Sequence, residues 1–181
     1  MITLEQLLAS RDARAAHQQA LLSAWPGHTL VCLTVQFPGP IKRSASSLVV
    51  GGAGLAALLD TFGSVMRHAQ VRDLETGYEA YLLVPLPALL VKKTCCHIED
   101  THPLGRLMDI DVLAPSGGHP VGAGGDGMSG PTGHLLDRAS VGLPPRRCLL
   151  CDQPARYCMR ARSHTPEELL QKIEQMVADF A

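Results

Sequence analysis

The chain has 181 residues, a formal net charge of −1 and six cysteines, and 46% of its residues are hydrophobic. That length suits one domain with a sizeable core and leaves two full domains cramped, while the near-neutral charge speaks against a general nucleic-acid binder, whose backbone contacts call for a strongly basic balance. No basic N-terminal stretch leads into an apolar run with a cleavage site, and no apolar run of about twenty residues stands out, so the chain reads as soluble and cytosolic, with no membrane partner and with thiols or metal ligands rather than disulfides.

Thr3 and Gln6 form the two ends of a capping box, and Leu4, Leu7, Leu8, Ala15, Leu22 and Trp25 follow at roughly helical spacing, predicting a helix over 4–24 that Pro26-Gly27 stops. Thr29 to Phe37 is rich in apolar and β-branched residues and predicts a buried strand. It runs into Pro38-Gly39-Pro40-Ile41-Lys42, a rigid turn that delivers Lys42 to the end of a central strand, where it can meet a phosphate or simply stay solvated. Leu48 to Ala57 admits two readings. Gly52-x-Gly54-x-x-Ala57 with Asp73 and Glu75 about twenty residues on is close to a dinucleotide-binding fingerprint. The alternative is a glycine-weakened helix over 46–69 that buries Leu55, Leu58, Leu59, Phe62, Val65 and Met66.

Residues 70–75 and 79–84 read as two short strands around Thr76-Gly77, a hairpin. Pro85 and Pro87 open a further helix to about Thr101, with Leu89, Leu90, Cys96 and Ile98 expected inside. From Leu107 polar and apolar residues alternate, predicting a half-buried strand on which Asp109 and Asp111 share one face and Met108, Ile110 and Val112 the other. At roughly 3.3 Å per residue the two acids lie about 6.6 Å apart, close enough for converging carboxylates to hold one hard cation, Mg²⁺. Sites of this kind hold the metal of phosphoryl and nucleotidyl transfer. Gly105 before them allows close approach of a phosphate, and the planar fork of Arg106 suits phosphate oxygens. An Asp-x-Asp pair is also an ordinary feature of a solvated strand face.

Residues 115–133 are mostly glycine, proline and small polar residues, which bury too little apolar surface to offset the entropy of ordering; they read as a flexible loop, a lid or an inert insertion. Six arginines (138, 146, 147, 156, 160 and 162) make the next segment a candidate anion platform. Within it, Cys148, Cys151, Cys158 and His164 are spaced as soft ligands for a tetrahedral Zn²⁺, although 148, 151, 155 and 158 also follow helical spacing and fit packed thiols. Thr165-Pro166-Glu167-Glu168 caps a last amphipathic helix carrying Leu169, Leu170, Ile173, Met176, Val177 and Phe180. The order helix, strand, helix, strand, strand, helix, strand predicts an α+β fold: a split βαβ, ferredoxin-like sandwich with an N-terminal helix, helices on one face, and a Cys/Arg-rich helical extension over 138–181, all one domain over 1–181.

Four segments in order, Leu-Leu-Ala-Ser-Arg-Asp-Ala-Arg (7–14), Pro-Gly-Pro-Ile-Lys (38–42), His-Pro-Leu-Gly-Arg-Leu-Met-Asp-Ile-Asp-Val (102–112) and Leu-Pro-Pro-Arg-Arg-Cys-Leu-Leu-Cys (143–151) with the following Cys and His, resemble the citrate lyase holo-acyl-carrier-protein synthase family, also called apo-citrate lyase phosphoribosyl-dephospho-CoA transferase. The Gly-rich loop and Gly51, Gly52 and Gly54 depart from the family pattern, and the chain end just after the last helix suggests the stand-alone transferase. The resemblance implies transfer of a prosthetic group from 2′-(5″-triphosphoribosyl)-3′-dephospho-CoA to a serine of the apo acyl-carrier (gamma) subunit of citrate lyase, with diphosphate leaving. Asp109 and Asp111 would hold Mg²⁺, and one would help draw the serine proton. Arg106, Lys42, Arg146 and Arg147 would meet the growing charge on diphosphate, and the other arginines an acidic carrier. An equivalent transferase for malonate decarboxylase and a non-catalytic, zinc-stabilised carrier adaptor are the competing readings.

Overall fold

The computed structural model describes residues 2–35, 37–115 and 133–180. It is a mixed α/β chain with a five-stranded antiparallel sheet. In chain order the elements are α1 (Leu4–Ala24), β1 (Thr29–Val35), α2 (Ala45–Phe62), β2 (His68–Leu74), β3 (Gly77–Val84), α3 (Ala88–Thr101), a one-turn 3₁₀ helix (Gly105–Leu107), β4 (Met108–Pro115), β5 (Gly133–Leu136), a second 3₁₀ turn (Ala139–Val141), α4 (Ala155–Ala161) and α5 (Pro166–Phe180). The sheet order is β2-β3-β1-β4-β5. The predicted Gly-rich loop lies almost wholly outside the described residues. Sequence reading missed β5, whose four residues are too few to show an alternation.

Strand alternation divides the side chains between two layers. Val31 and Leu33, Ala80, Leu82 and Val84, and Met108, Ile110 and Val112 face one side, packed against Val50, Leu58 and Phe62 of α2, Val91, Cys95 and Ile98 of α3, and Ile173 and Val177 of α5. The other side carries Leu30, Cys32, Tyr81, Leu83 and Leu113, covered by Leu21 and Leu22 of α1. The capping box at Thr3 forms as predicted, with Gln6 N–H donating to Thr3 Oγ1 at 3.2 Å. The first turns of α1 nevertheless project outward, leaving Leu4 72% and Leu8 48% exposed. Leu89 and Leu90 are exposed as well, because the buried face of α3 runs through Val91, Cys95 and Ile98. Residues 91, 95 and 98 complete one helical stripe, and 89 and 90 stand outside it.

Gly51, Gly52 and Gly54 lie inside the unbroken helix α2, not in a strand-to-helix turn, so the dinucleotide fingerprint has no phosphate-binding loop to occupy. The helix is long and apolar enough to cross a membrane by composition alone, but its buried stripe rests on the sheet core. The glycines permit that close seat. A Cβ on Gly51 would lie 2.5 Å from Tyr78 Cγ, and one on Gly54 would lie 2.9 Å from Leu33 Cδ2 and 3.2 Å from Met108 Sδ, whereas Gly52 faces open space. Glycine costs about 1 kcal/mol of helix propensity relative to alanine. Gly52→Ala is therefore expected to stabilise the fold by up to about 1 kcal/mol, and Gly51→Ala to destabilise it by roughly 1–2 kcal/mol as overlap with the Tyr78 ring outweighs propensity. Urea denaturation of the two variants checks the opposite signs.

Candidate functional site

β4 is paired with β1 along its whole site-bearing half: Asp109 lies opposite Thr34 and Asp111 opposite Cys32. Both acids therefore face the α1 side of the sheet, as the alternation predicted, while Met108, Ile110 and Val112 are buried in the opposite core. Asp109 keeps 37% of its side chain exposed. Asp111 sits deeper, and burial first, then the neighbouring Asp109, pushes its carboxyl up to about 6 from an ordinary 3.8. Lys92 and Arg14 pull the other way.

The outer edge of β4 explains how these acids are held. β5 pairs with β4 only from Val112 onward, leaving both backbone groups of Ile110 without a strand partner. Two charged side chains of α3 take them: Glu99 Oε1 accepts from Ile110 N–H at 2.8 Å, and Lys92 Nζ donates to the Ile110 carbonyl at 3.1 Å. Both are buried, Glu99 at 3% and Lys92 at 5% exposure. Glu99 in turn binds the guanidiniums of Arg146 and, at 3.4 Å, Arg138, which also reaches Asp100 at 2.7 Å. Arg146 extends beyond Glu99 to lie 3.6 Å from Asp109 Oδ1. Glu99 thus joins the residue between the two acids to an arginine brought from forty-seven positions away.

Other predicted residues fall around this centre. Arg106 donates to the Arg147 carbonyl. Burial and then the neighbouring Arg146 depress its guanidinium from the ordinary value, a crowding of cations that an anion would relieve. The Arg147 side chain is 75% exposed and turns to Asp152 at 3.3 Å. A Cβ on Gly105 would lie 2.5 Å from the Glu99 carbonyl and 2.6 Å from that of Ile98, so the missing side chain lets this turn pack on the end of α3. Lys42 donates to the Phe37 carbonyl at 2.5 Å, and burial followed by Arg11 lowers its ammonium. It follows β1 at the end of the sheet that also carries Asp109.

Sequence reasoning overlooked the polar layer beneath α1. Glu79 of β3, only 4% exposed, accepts from Tyr81 Oη at 2.5 Å and pairs with Arg14 at 3.6 Å and Arg72 at 3.5 Å. His17 of α1 meets the Tyr81 ring edge-on, with centroids 4.7 Å apart, and hydrogen-bonds Gln70 Oε1 at 3.0 Å. Arg14 is thereby fixed over the strand face that holds Asp111. Its signal was available, since Arg11 and Arg14 belong to the family-like segment 7–14, one helical turn apart. Glu99 and Lys92 gave none, being two of several charges on a helix that is half apolar.

A second constellation lies in the C-terminal segment. The ligand atoms of Cys148, Cys151, Cys158 and His164 all lie within 4.8 Å of one another, an arrangement that can bind a metal ion such as zinc. Cys151 Sγ is 3.5 Å from Cys158 Sγ and 3.4 Å from His164 Nε2.

Comparison with known proteins gives the family. The family model described as apo-citrate lyase phosphoribosyl-dephospho-CoA transferase matches residues 2–125 and 126–180, the division falling inside the Gly-rich stretch. A probable apo-citrate lyase phosphoribosyl-dephospho-CoA transferase of Vibrio cholerae is 37% identical over 186 residues, covering 99% of this chain and 94% of the relative. An Escherichia coli protein of the same name is 36% identical over 181 residues, covering 98% and 90%, and a Streptococcus pyogenes relative is 34% identical over 180 residues, covering 99% and 87%. With the family model spanning nearly the whole sequence and relatives above one-third identity end to end, the chain belongs to the apo-citrate lyase phosphoribosyl-dephospho-CoA transferase family.

Proposed function

We propose that the chain transfers the 2′-(5″-phosphoribosyl)-3′-dephospho-CoA group from its triphosphate precursor to a serine of the apo acyl-carrier subunit of citrate lyase. The serine oxygen forms a bond to the α-phosphorus, the bond from that phosphorus to the departing diphosphate breaks, and the serine proton passes to a base. Family membership selects the substrates. The observation that carries the chemistry is the pair of carboxylates on one face of β4 with Arg146 at 3.6 Å from the first of them.

The donor set fits Mg²⁺. Two carboxylates share a strand face, and the deeper one resists ionisation because burial and its neighbour disfavour the charge, a cost that a hard cation offsets. Asp109 and Asp111 would hold the ion, which supplies neutralising charge for the triphosphate and the leaving diphosphate. Arg146 and Arg106, with Lys42 at the same sheet end, would meet phosphate oxygens as charge gathers on diphosphate. One of the two acids would also draw the serine proton. The thiol cluster would take Zn²⁺.

The finer fold reading is a ferredoxin-like split βαβ core. It is supported by the run β1-α2-β2-β3-α3-β4 in chain order, by the neighbours β2-β3-β1-β4 in the sheet, and by α2 and α3 on one face. A single domain over 1–181 is supported by the C-terminal helix, which buries Ile173 and Val177 in the same core as the sheet. Arg156 and Arg160, exposed on α4 beside Tyr157 and Met159, 58% and 71% exposed, offer a basic and apolar surface for an acidic carrier, and the site of action is the cytoplasm.

Incubation with apo carrier, triphosphate precursor and Mg²⁺ is expected to add the mass of the phosphoribosyl-dephospho-CoA group to the carrier and to release one diphosphate per transfer. Intact-mass spectrometry reads the product. Carrier left unmodified by the metal-replete protein overturns the proposal, and modification of a malonate decarboxylase carrier instead reassigns the partner.

A further inference from the structure

The segment 144–165 has almost no apolar core of its own. Among its described residues only Cys158 is buried, and α4 is seven residues long. It is nonetheless folded into a tight knuckle. Ala155 N–H donates to the Arg146 carbonyl at 2.9 Å, Cys148 N–H donates to the Gln153 carbonyl at 2.7 Å, and an isolated bridge joins Arg147 to Pro154. This brings Cys148 and Cys151 to one side. α4 adds Cys158 and ends at Arg162, whose φ of 49° is left-handed, so that the chain doubles back and delivers His164. So small a unit usually needs a metal or a disulfide to stay ordered.

The spacing separates metal ligation from a disulfide, and the surroundings separate it from packed thiols. Four ligands around a tetrahedral Zn²⁺ with bonds of about 2.3 Å to sulfur and about 2.0 Å to nitrogen stand roughly 3.5–3.8 Å apart. The observed 3.5 Å for Cys151 to Cys158 and 3.4 Å for Cys151 to His164 match those edges and are far beyond the roughly 2.05 Å of a disulfide. The remaining cysteines, Cys32, Cys95 and Cys96, are sealed in the sheet and helix cores at 1% exposure or less. Cys148 and Cys151 are only part-buried and belong to neither core, as hydrophobic packing would require.

The knuckle is tied directly to the acidic pair. The residue whose carbonyl closes it, Arg146, places its guanidinium on Glu99 and beside Asp109, and the next carbonyl, of Arg147, is held by Arg106. We propose that one Zn²⁺ bound by Cys148, Cys151, Cys158 and His164 is a structural clamp that holds Arg146 in the transfer site, an inference whose kinetic arm rests on the transfer function proposed above. Zinc does no chemistry here; it fixes the backbone from which Arg146 reaches the phosphates.

Three measurements test the clamp. Protein purified without chelator is expected to carry about one zinc per chain by mass spectrometry, and Co²⁺ exchanged into it to give the visible absorption of a tetrahedral thiolate site; Cys151→Ser is expected to lower the zinc content severalfold. Stripping the zinc is expected to raise amide exchange over 146–164 while the sheet stays protected. It is also expected to lower kcat/KM for the triphosphate precursor roughly tenfold or more, restored by Zn²⁺ and not by Mg²⁺. Zinc below about a tenth per chain with no cobalt signal overturns the site. Zinc that is present, but whose removal changes neither exchange nor kcat/KM, overturns the clamp. If zinc-replete protein transfers nothing, the function proposed above fails, and stoichiometry and exchange still decide the metal centre.

Discussion

Asp111→Asn is expected to cut transfer by about 10²–10⁴ while making the metal-free protein more stable at pH 8. The first effect follows from losing a metal ligand at the reacting phosphate, where several kcal/mol of transition-state stabilisation is at stake. The second follows from the sign of the pKa change. Burial, and next the Asp109 charge, lift the Asp111 carboxyl from 3.8 to about 6, so the folded state binds this proton more tightly than the unfolded chain does. Stability then falls as pH rises from about 4 through about 6, and the penalty is fully present above that window and absent below it. Two units correspond to about 3 kcal/mol at most, at 1.36 kcal/mol per unit. The neutral amide removes this penalty, so a gain of about 1–3 kcal/mol is expected at pH 8 and none at pH 4. Urea titrations in chelator at the two pH values measure it. Millimolar Mg²⁺ is expected to raise the melting temperature of the wild type and not of the variant, because a ligand stabilises only the state that binds it. A variant less stable than wild type at pH 8 would mean that the ionised carboxylate is held by the fold, and would sink this account of the site.

Much of this arrangement could be read before any coordinates. Local signals sufficed wherever a residue's role is decided by its near neighbours in sequence. The capping boxes at Thr3 and Thr165, the stop at Pro26-Gly27 and the alternation through Asp109 and Asp111 all mark structure within a few residues of themselves. The cysteine spacing belongs to the same class: two ligands three apart on a turn and a third on the following helix converge with little help from the rest of the fold. What remained hidden depends on contacts across long sequence separations. Glu99 and Lys92 read as helix charges until β4 presents an unpaired edge to them, and Leu89 and Leu90 read as core until the sheet selects the stripe through Val91 and Cys95. Likewise, Gly52 and Gly54 look like a phosphate loop when only their spacing is considered, whereas in the fold Gly52 faces open space and Gly54 makes a close helix-to-sheet contact with Leu33. Arg146 is the intermediate case. Its charge was visible as a candidate phosphate ligand, but it reaches Asp109 while paired with Glu99, a residue no local pattern distinguishes.

Glu99 therefore carries the largest expected stability effect of any single side chain in the site. Its carboxylate is almost fully buried and serves three donors at once, the Ile110 amide, Arg146 and Arg138. Glu99→Ala leaves the edge amide of β4 with no acceptor and two guanidiniums, 22% and 14% exposed, without their shared partner. Removing one side of such a buried charge cluster costs about 3–5 kcal/mol, well above the loss expected from a surface ion pair. Glu99→Gln separates strand anchoring from charge. Its amide oxygen can still accept from Ile110, so the fold is expected to lose only about 1–3 kcal/mol, but the guanidinium of Arg146 loses the charge that steers it to Asp109. Transfer by the folded glutamine variant is expected to fall about 10–100-fold in kcat/KM for the triphosphate precursor, since small misplacement of a phosphate ligand is costly. Chemical denaturation and steady-state kinetics on both variants decide the matter. An alanine variant within about 1 kcal/mol of wild type would show that water or a shifted arginine replaces the carboxylate, and that the β4 edge does not depend on it. A glutamine variant with unchanged kcat/KM would show that Arg146 finds its place without Glu99, leaving the knuckle backbone alone to position it.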